Sequence, residues 1–427
     1  MKISALNSFD ISLEDVASDK SISHRFAIFS LLAESKSKAS NYLLAEDTIN
    51  TLKIISKLGA KVSRQGSFVS IEPPKKILSP NEVLDCGNSG TAMRLMLGFL
   101  SGVEGFFVLS GDKYLNNRPM KRISKPLNDI GARIFGRDDA NLAPLCIESK
   151  SKLKGFNYKS EISSAQVKTA LILAALSSDS NSYFSEISLS RNHSENMLLA
   201  MNAPISVSND GLSIAIQPLK KPLKPLDISI PNDPSSAFYL VLAAIILPNS
   251  KICIKNILLN KTRIEAYKVL EKMGAKIEYK FYDDSFESIG EIYAQSSSLN
   301  SVEVCENISW LIDEAPALAI AFSLAKGTSV LRNAKELRVK ESDRIKAMVE
   351  NLIKCGINAK ELDDGFEIIG SKPKFAVIDS FGDHRIAMSF AILGLICGMQ
   401  INDSDCINTS FPNFKNILEK IGAVVED

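Results

Sequence analysis

Histidine is scarce in this chain: only His24, His193 and His384 occur, so a histidine-built metal centre is not expected. The seven cysteines are odd in number and scattered, with no CxxC pair, which excludes an obvious disulfide framework or zinc site. A standing charge excess is also missing. The formal net charge of +1 lacks the basic surplus of a protein that coats nucleic acid or lies on a membrane surface. Long apolar runs are missing too. The longest, Phe238 to Leu247 and Ile386 to Gly398, fall short of the roughly 18–20 residues needed to span a bilayer and read as buried helices. The opening MKISALNSFD has no apolar core of the kind a secretory signal needs. These absences predict a reduced, cytoplasmic protein that uses no metal or other cofactor and binds neither nucleic acid nor membrane. Hydrophobic residues at 45% of 427 positions are ample for real cores, and the length suits two or three domains.

What is present is a repeat. A short segment of apolar residue, Gly, Ala, basic residue, apolar residue occurs as LGAKV at Leu58 to Val62, IGARI at Ile130 to Ile134 and MGAKI at Met273 to Ile277. IGAVV at Ile421 to Val425 is a fourth copy, and MNAPI at Met201 and CGINAK at Cys355 are degenerate ones. Each follows an amphipathic stretch, so each reads as a helix closed by Gly, then a strand. A second segment keeps step with the first. Almost wholly apolar helices are expected to begin near Ser23, Ser89, Ser164, Ser235, Asp313 and Asp383. Polar residues at these starts suit helix capping. The repeating unit is therefore roughly 70 residues, found about six times. Such units are too long for a common solenoid and favour closed domains of three units each.

The polar residues at the starts of the apolar helices are the unusual ones. A helix N-terminus carries free amides and a positive dipole end, a seat for phosphate or carboxylate. GNSGTAMR at Gly87 to Arg94 offers two glycines for close backbone approach. Taken alone, such a start is more often an ordinary cap than an anion site. Other starts add cations: Lys20, His24 and Arg25; Arg118, Lys121 and Arg122; Lys168; Arg191; Lys340 and Arg344; Arg385. Guanidinium groups suit bidentate anion binding. Taken singly, VKESDRIKAM reads as a solvated helix face with Lys340 and Arg344 one turn apart, His384 as a capping residue, and Asp313 and Asp383 as N-caps. Cys86 and Cys397 read as small buried hydrophobes. From the residues alone, the chain is a two-domain repeat protein with a polyanion site and carboxylates nearby, and the reaction stays unnamed.

The ordered set DKSISHR (Asp19 to Arg25), GNSGTAMR, RPM (Arg118 to Met120), SAQVK (Ser164 to Lys168), SRNHSE (Ser190 to Glu195), DEAPALA (Asp313 to Ala319), RVKESDR (Arg338 to Arg344) and GDHRIAM (Gly382 to Met388) resembles the 5-enolpyruvylshikimate-3-phosphate synthase family over essentially the whole chain. DKSISHR, SAQVK and SRNHSE look like its divergent branch, rich in glyphosate-tolerant members. The resemblance implies an α/β fold (α+β repeats) of two domains, each of three βαβαββ units around buried helices, an inside-out α/β barrel. It implies a discontinuous C-terminal domain of residues 1–18 and 231–427, an N-terminal domain of 19–230, and helix starts turned to an interdomain cleft. It also implies a monomer.

The same resemblance implies transfer of an enolpyruvyl group from phosphoenolpyruvate to the 5-hydroxyl of shikimate 3-phosphate. Ser21 and Arg25 would hold the acceptor carboxylate; Ser164, Ala165, Arg191 and Lys340 its phosphate; Gln166 its ring region; Asp313 its hydroxyls; and Lys20 would touch acceptor as well as donor. Lys20, Gly90, Arg118, Gln166, Arg344 and Arg385 would hold the donor. Asp313 would accept the hydroxyl proton, and Glu341 would protonate the donor carbon and later take a proton back, with Lys20 assisting. Two departures stand out. Asn408 precedes Thr409, Ser410, Phe411 and Pro412 where members often carry Lys, and Ala165 stands where others have a second Ser. The related UDP-N-acetylglucosamine enolpyruvyl transferases use a loop Cys, and Gly111 to Met120 has none. A non-catalytic anion-binding relative is the other alternative.

Overall fold

The computed structural model describes residues 1–282 and 286–426. Twelve helices of seven or more residues are present among them. They are α1 (Lys20–Phe29), α2 (Glu46–Lys57), α3 (Gly90–Ser101), α4 (Lys121–Asp129), α5 (Ala165–Leu176), α6 (His193–Ala200), α7 (Pro234–Ile246), α8 (Glu265–Lys272), α9 (Ala315–Leu324), α10 (Arg344–Lys354), α11 (His384–Cys397) and α12 (Phe414–Lys420). The odd-numbered helices are the apolar ones. From Ala237 to Ile245, every residue of α7 is buried. A helix apolar all round has no face to give to water, so it must sit inside a layer of other elements. Each buried Leu or Ile contributes about 1.5–3 kcal/mol.

Among the described residues those layers are six four-stranded sheets of one topology: a parallel edge pair followed by two antiparallel pairings. Strands alternate buried and exposed positions, as in Leu142–Ser149, so one face packs on helices and the other meets water.

By contact the chain divides into two compact units, Asp19–Ile230 and Met1–Ser18 with Pro231–Asp427. In the first, α1 and α5 pack on α3. Gly98 of α3 makes the close approach possible: a Cβ there would lie 2.5 Å from Ala170 Cα. This unit closes on itself, since Asp227–Ser229 pairs in parallel with Ser37–Ser40. In the second unit, α7, α9 and α11 pack on one another. Residues 1–18 supply two strands to it, in different sheets. Asp10–Leu13 runs parallel to Lys251–Leu258, whereas Lys2–Ile3 lies between Met399–Asn402 and Val425–Glu426.

The even-numbered helices end as the short repeat requires. The residue two past each last helical residue has positive φ: Gly59, Gly131, Gly274, Gly356 and Gly422, with Asn202 serving in the degenerate copy. Asn tolerates the left-handed region better than other non-glycine residues. Several expected starts shift. The first apolar helix begins at Lys20, three residues before Ser23, with Asp19 as its cap accepting from the Ile22 amide at 2.7 Å. The fourth is capped by Asp233, not Ser235. The fifth follows Glu314, so Asp313 is not its cap. Asp383 caps the last, and His384 is the first residue inside. Cys86 is buried and Cys397 half-buried.

Candidate active site

In the first unit, three helix starts carry the predicted residues. At α1, Lys20 pairs with Asp47 at 3.1 Å, and Ser21 lies half-buried beside it. Arg25 is buried and donates from Nε to Ser194 Oγ (2.7 Å), from Nη2 to Thr169 Oγ1 (3.1 Å) and from Nη1 to the Ser21 carbonyl (3.1 Å). His24 Nδ1 meets Thr51 Oγ1 at 2.8 Å, and its Nε2 lies 3.3 Å from Ser89 Oγ. Burial, reinforced by Lys20 and Arg25, pushes its pKa well below the usual histidine value, so the ring is neutral.

At α3, Ser89 caps the Ala92 amide and Gly90 is the first helical residue. Arginines crowd this start. A Cβ on Gly90 would lie 2.8 Å from Arg94 Nη1 and 3.1 Å from Arg118 Nη2, so only glycine leaves both heads over the helix amides. Arg118 Nη1 donates to the Asn88 carbonyl at 3.1 Å. Gln166, in the first turn of α5, brings α3 and α5 together here. Its Oε1 accepts from Arg94 (2.8 Å) and Arg122 (3.4 Å), and its amide donates to Thr91 (3.0 Å). At α5, Ser164 is the N-cap and Ala165 opens the helix. Arg191 lies in the loop before α6 and is half-buried. Two guanidiniums, free-running amides and a dipole end at one place make a strong anion seat.

In the second unit, Arg344 is the organiser. It is almost fully buried, which overturns the solvated-face reading of VKESDRIKAM. The helix starts only at Arg344, capped by Asp343, and Lys340 lies before it, paired with Glu336 at 3.2 Å. Lys340 and Arg344 therefore do not form one helical face. Arg344 Nε and Nη2 donate to Asp383 at 2.8 and 3.2 Å, and Nη2 also reaches Glu341 at 2.6 Å. Nη1 makes no hydrogen bond among the described residues; Asp313 Oδ1 stands 3.7 Å from it. Burial opposes the positive charge, but Asp383 and Glu341 outweigh it and raise the Arg344 pKa. Arg385 is likewise raised, chiefly by Asp313 against the cost of burial, and its Nη1 lies 3.5 Å from Glu314. Asp313, Glu341, Arg344 and Arg385 thus gather in this unit, as do Lys20, Gly90, Arg118 and Gln166 around the helix starts of the other.

Some participants escaped the sequence reading. Asp47, partner of Lys20, is only an acidic residue in the first turn of α2. Glu314 sits beside Asp313 in DEAP, and its burial is the stronger signal. Asp383 reads as a cap and is also the bidentate partner of Arg344. Nothing at these positions announces the pairing, because the partner lies 27 to 71 residues away.

Residues 12–418 match the family model of EPSP synthase (3-phosphoshikimate 1-carboxyvinyltransferase). The chain belongs to the EPSP synthase family. Similar relatives include 3-phosphoshikimate 1-carboxyvinyltransferase of Campylobacter jejuni subsp. jejuni serotype O:2, 71% identical over 97% of each chain. That of Campylobacter fetus is 63% identical over the full length of both. Among solved structures, EPSP synthase from Acinetobacter baumannii superposes with a TM-score of 0.86 at 32% identity, covering 100% of this chain and 99% of that one. The six-sheet architecture is thus the two-domain enolpyruvyl transferase fold. No helix of the described residues is long and apolar enough to cross a membrane.

Proposed function

We propose that this chain transfers the enolpyruvyl group of phosphoenolpyruvate to the 5-hydroxyl of shikimate 3-phosphate and releases phosphate, as a 3-phosphoshikimate 1-carboxyvinyltransferase of aromatic amino-acid biosynthesis. Family membership supports the reaction. The site residues rest on one observation above all: Arg344 Nη1 is a buried donor without a hydrogen bond among the described residues, 3.7 Å from Asp313, while the neighbouring Nη2 holds Glu341. An unsatisfied buried donor costs about 1–3 kcal/mol, and a carboxylate oxygen of the donor substrate would remove that cost.

In this reading Lys20, the Gly90 amide, Arg118, Gln166, Arg344 and Arg385 hold phosphoenolpyruvate. Ser21 and Arg25 hold the acceptor carboxylate, and Ser164, Ala165, Arg191 and Lys340 its phosphate, with Gln166 against the ring. Glu341 protonates C3 of the donor while Asp313 takes the proton of the 5-hydroxyl. The hydroxyl oxygen then bonds to C2. Glu341 next removes a methyl proton as the C2–O bond to phosphate breaks, restoring the enol ether. Lys20 offsets charge on the departing phosphate. Both substrates are polyanions, so clustered guanidiniums and helix dipoles supply the stabilisation.

Under the same reading the enzyme works as a cytoplasmic monomer without cofactor, with domains at 19–230 and at 1–18 plus 231–427. The two compact units support that division. DKSISHR, SAQVK and Asn408 support placing it in the divergent, often glyphosate-tolerant branch. The test is phosphate release from phosphoenolpyruvate with and without shikimate 3-phosphate, in a chelator, with glyphosate as titrant. Release that needs both substrates and survives chelation is expected. Glu341→Gln and Asp313→Asn should lose nearly all turnover while binding the acceptor. Release only with UDP-N-acetylglucosamine would overturn the assignment.

A further inference from the structure

A buried ionic cluster in the first unit carries none of the roles given above. Lys168 Nζ, on α5, lies 2.8 Å from Glu186 Oε1 and 2.7 Å from Glu195 Oε1, and the three side chains are at most 3% exposed. Glu186 ends the strand Ser182–Glu186, and Glu195 lies in the first turn of α6. Two carboxylates and one ammonium taken out of water gain little stability over well-packed apolar residues of the same volume. Stability is therefore a poor reason for such a cluster, and what it holds is a better one.

It holds Ser190 by every polar group. Glu186 Oε1 accepts from the Ser190 amide at 2.8 Å and from its hydroxyl at 3.1 Å, while Lys168 Nζ donates to its carbonyl at 3.4 Å. The next residue is Arg191. The cluster also clamps α5 to α6, and the adjacent positions on those helices form a second contact: Thr169 Oγ1 and Ser194 Oγ lie 2.5 Å apart. Both hydroxyls meet the Arg25 guanidinium, at 3.1 and 2.7 Å. One buried cluster thus fixes the backbone from which Arg191 extends and the helix pair that orients Arg25.

We infer that Lys168, Glu186 and Glu195 are positioning residues for the acceptor: they aim Arg191 and Arg25 together and so set affinity for a phosphorylated carboxylic acid without taking part in the proton transfers. The inference rests on the reading that Arg191 and Arg25 hold the acceptor. Glu186→Gln keeps the shape and one acceptor oxygen but removes the charge that holds Lys168 and strengthens the Ser190 contacts.

The test is steady-state kinetics on wild type, Glu186→Gln, Arg191→Ala and the double variant, with both substrates varied. Glu186→Gln is expected to raise the shikimate 3-phosphate KM about tenfold, the size of one charge-assisted hydrogen bond. The phosphoenolpyruvate KM and kcat should stay within about twofold, and in the Arg191→Ala background the same change should raise the acceptor KM clearly less than it does in wild type, because only Arg25 is left to be aimed. Glu186→Asp, which restores the charge, should recover part of the loss. Ser190→Ala, which spares the ion cluster, should raise the acceptor KM about two- to threefold and serves if Glu186→Gln does not fold. Full additivity of Glu186→Gln with Arg191→Ala, or equal rises in both KM values, would overturn the inference alone. An Arg191→Ala variant with wild-type acceptor KM would overturn the site reading and this inference with it.

Discussion

Replacing Asp383 by Asn isolates what the carboxylate does for Arg344. Asp383 is fully buried and has two duties. It caps α11 through the Arg385 amide at 2.9 Å, and it receives Arg344 at 2.8 and 3.2 Å, with Ser342 Oγ at 3.1 Å. Asn caps helices as well as Asp does, so the capping duty changes by only a few tenths of a kcal/mol. The ion pair is lost, and one Asn nitrogen faces a guanidinium donor. Breaking a buried pair costs about 3–5 kcal/mol; Glu341 remains on Arg344 Nη2, so about 3 kcal/mol is the expected loss. For a unit of this size that lowers its melting transition by about 6–12 °C. Arg344 should then swing toward Glu341. The phosphoenolpyruvate KM should rise about 10- to 100-fold, equivalent to about 1.4–2.8 kcal/mol, with the shikimate 3-phosphate KM nearly unchanged. Differential scanning calorimetry and initial rates read both quantities. A melting point and donor KM equal to wild type would show that Asp383 is only a cap and that Arg344 is held in place by Glu341 alone.

Three further outcomes are expected. Gly90→Ala should push the Arg94 and Arg118 heads off the α3 start, since its Cβ would lie 2.8 and 3.1 Å from them; the donor KM and the glyphosate inhibition constant should both rise, and rate assays that show neither would separate Gly90 from the donor site. Gly98→Ala should destabilise the Asp19–Ile230 unit by about 1–3 kcal/mol, because its Cβ meets Ala170 backbone, which cannot rotate away; urea unfolding checks this. His24 has a folded pKa well below its unfolded value near 6.5, so the unfolded chain binds the proton first. Its contribution to stability is complete above about pH 6.5 and is lost at about 1.4 kcal/mol per pH unit as pH falls toward the folded pKa. His24→Asn, which keeps a partner for Thr51, should flatten the acid limb of a stability–pH profile by that slope.

Much of the architecture was legible because the same local physics is repeated. All-apolar stretches had to be interior helices, and a Gly after an amphipathic stretch had to end one. Even MNAPI followed the rule, since Asn202 adopts the left-handed backbone that Gly supplies elsewhere. Helix starts were less legible where several capping residues compete: Asp19 lies four residues before Ser23, and Asp233 two before Ser235. Strand pairing was least legible. Strands of two to four residues, such as Lys2–Ile3 and Asp10–Leu13, carry too little pattern to name a partner nearly 400 or 240 residues away. Among the site residues, the arginines stood out as charges in apolar surroundings. Their carboxylate partners did not, because a sequence shows charge locally and pairing only in space. Taken by itself, the segment around Arg344 reads as a surface face; contacts with Asp383 and Glu341 make Arg344 an interior cation.

The strand Lys2–Ile3 has a consequence for biosynthesis. Its neighbours on both sides, Met399–Asn402 and Val425–Glu426, are made about 400 residues after it. At about 5–20 residues per second, that strand waits roughly 20–80 s for a sheet to enter. Meanwhile Asp19–Ile230, which closes on its own Asp227–Ser229 strand, has everything it needs to fold on the ribosome. The nascent chain thus carries a finished module beside a strand still unpaired, and that strand's docking has to wait for the distant segments of its own unit.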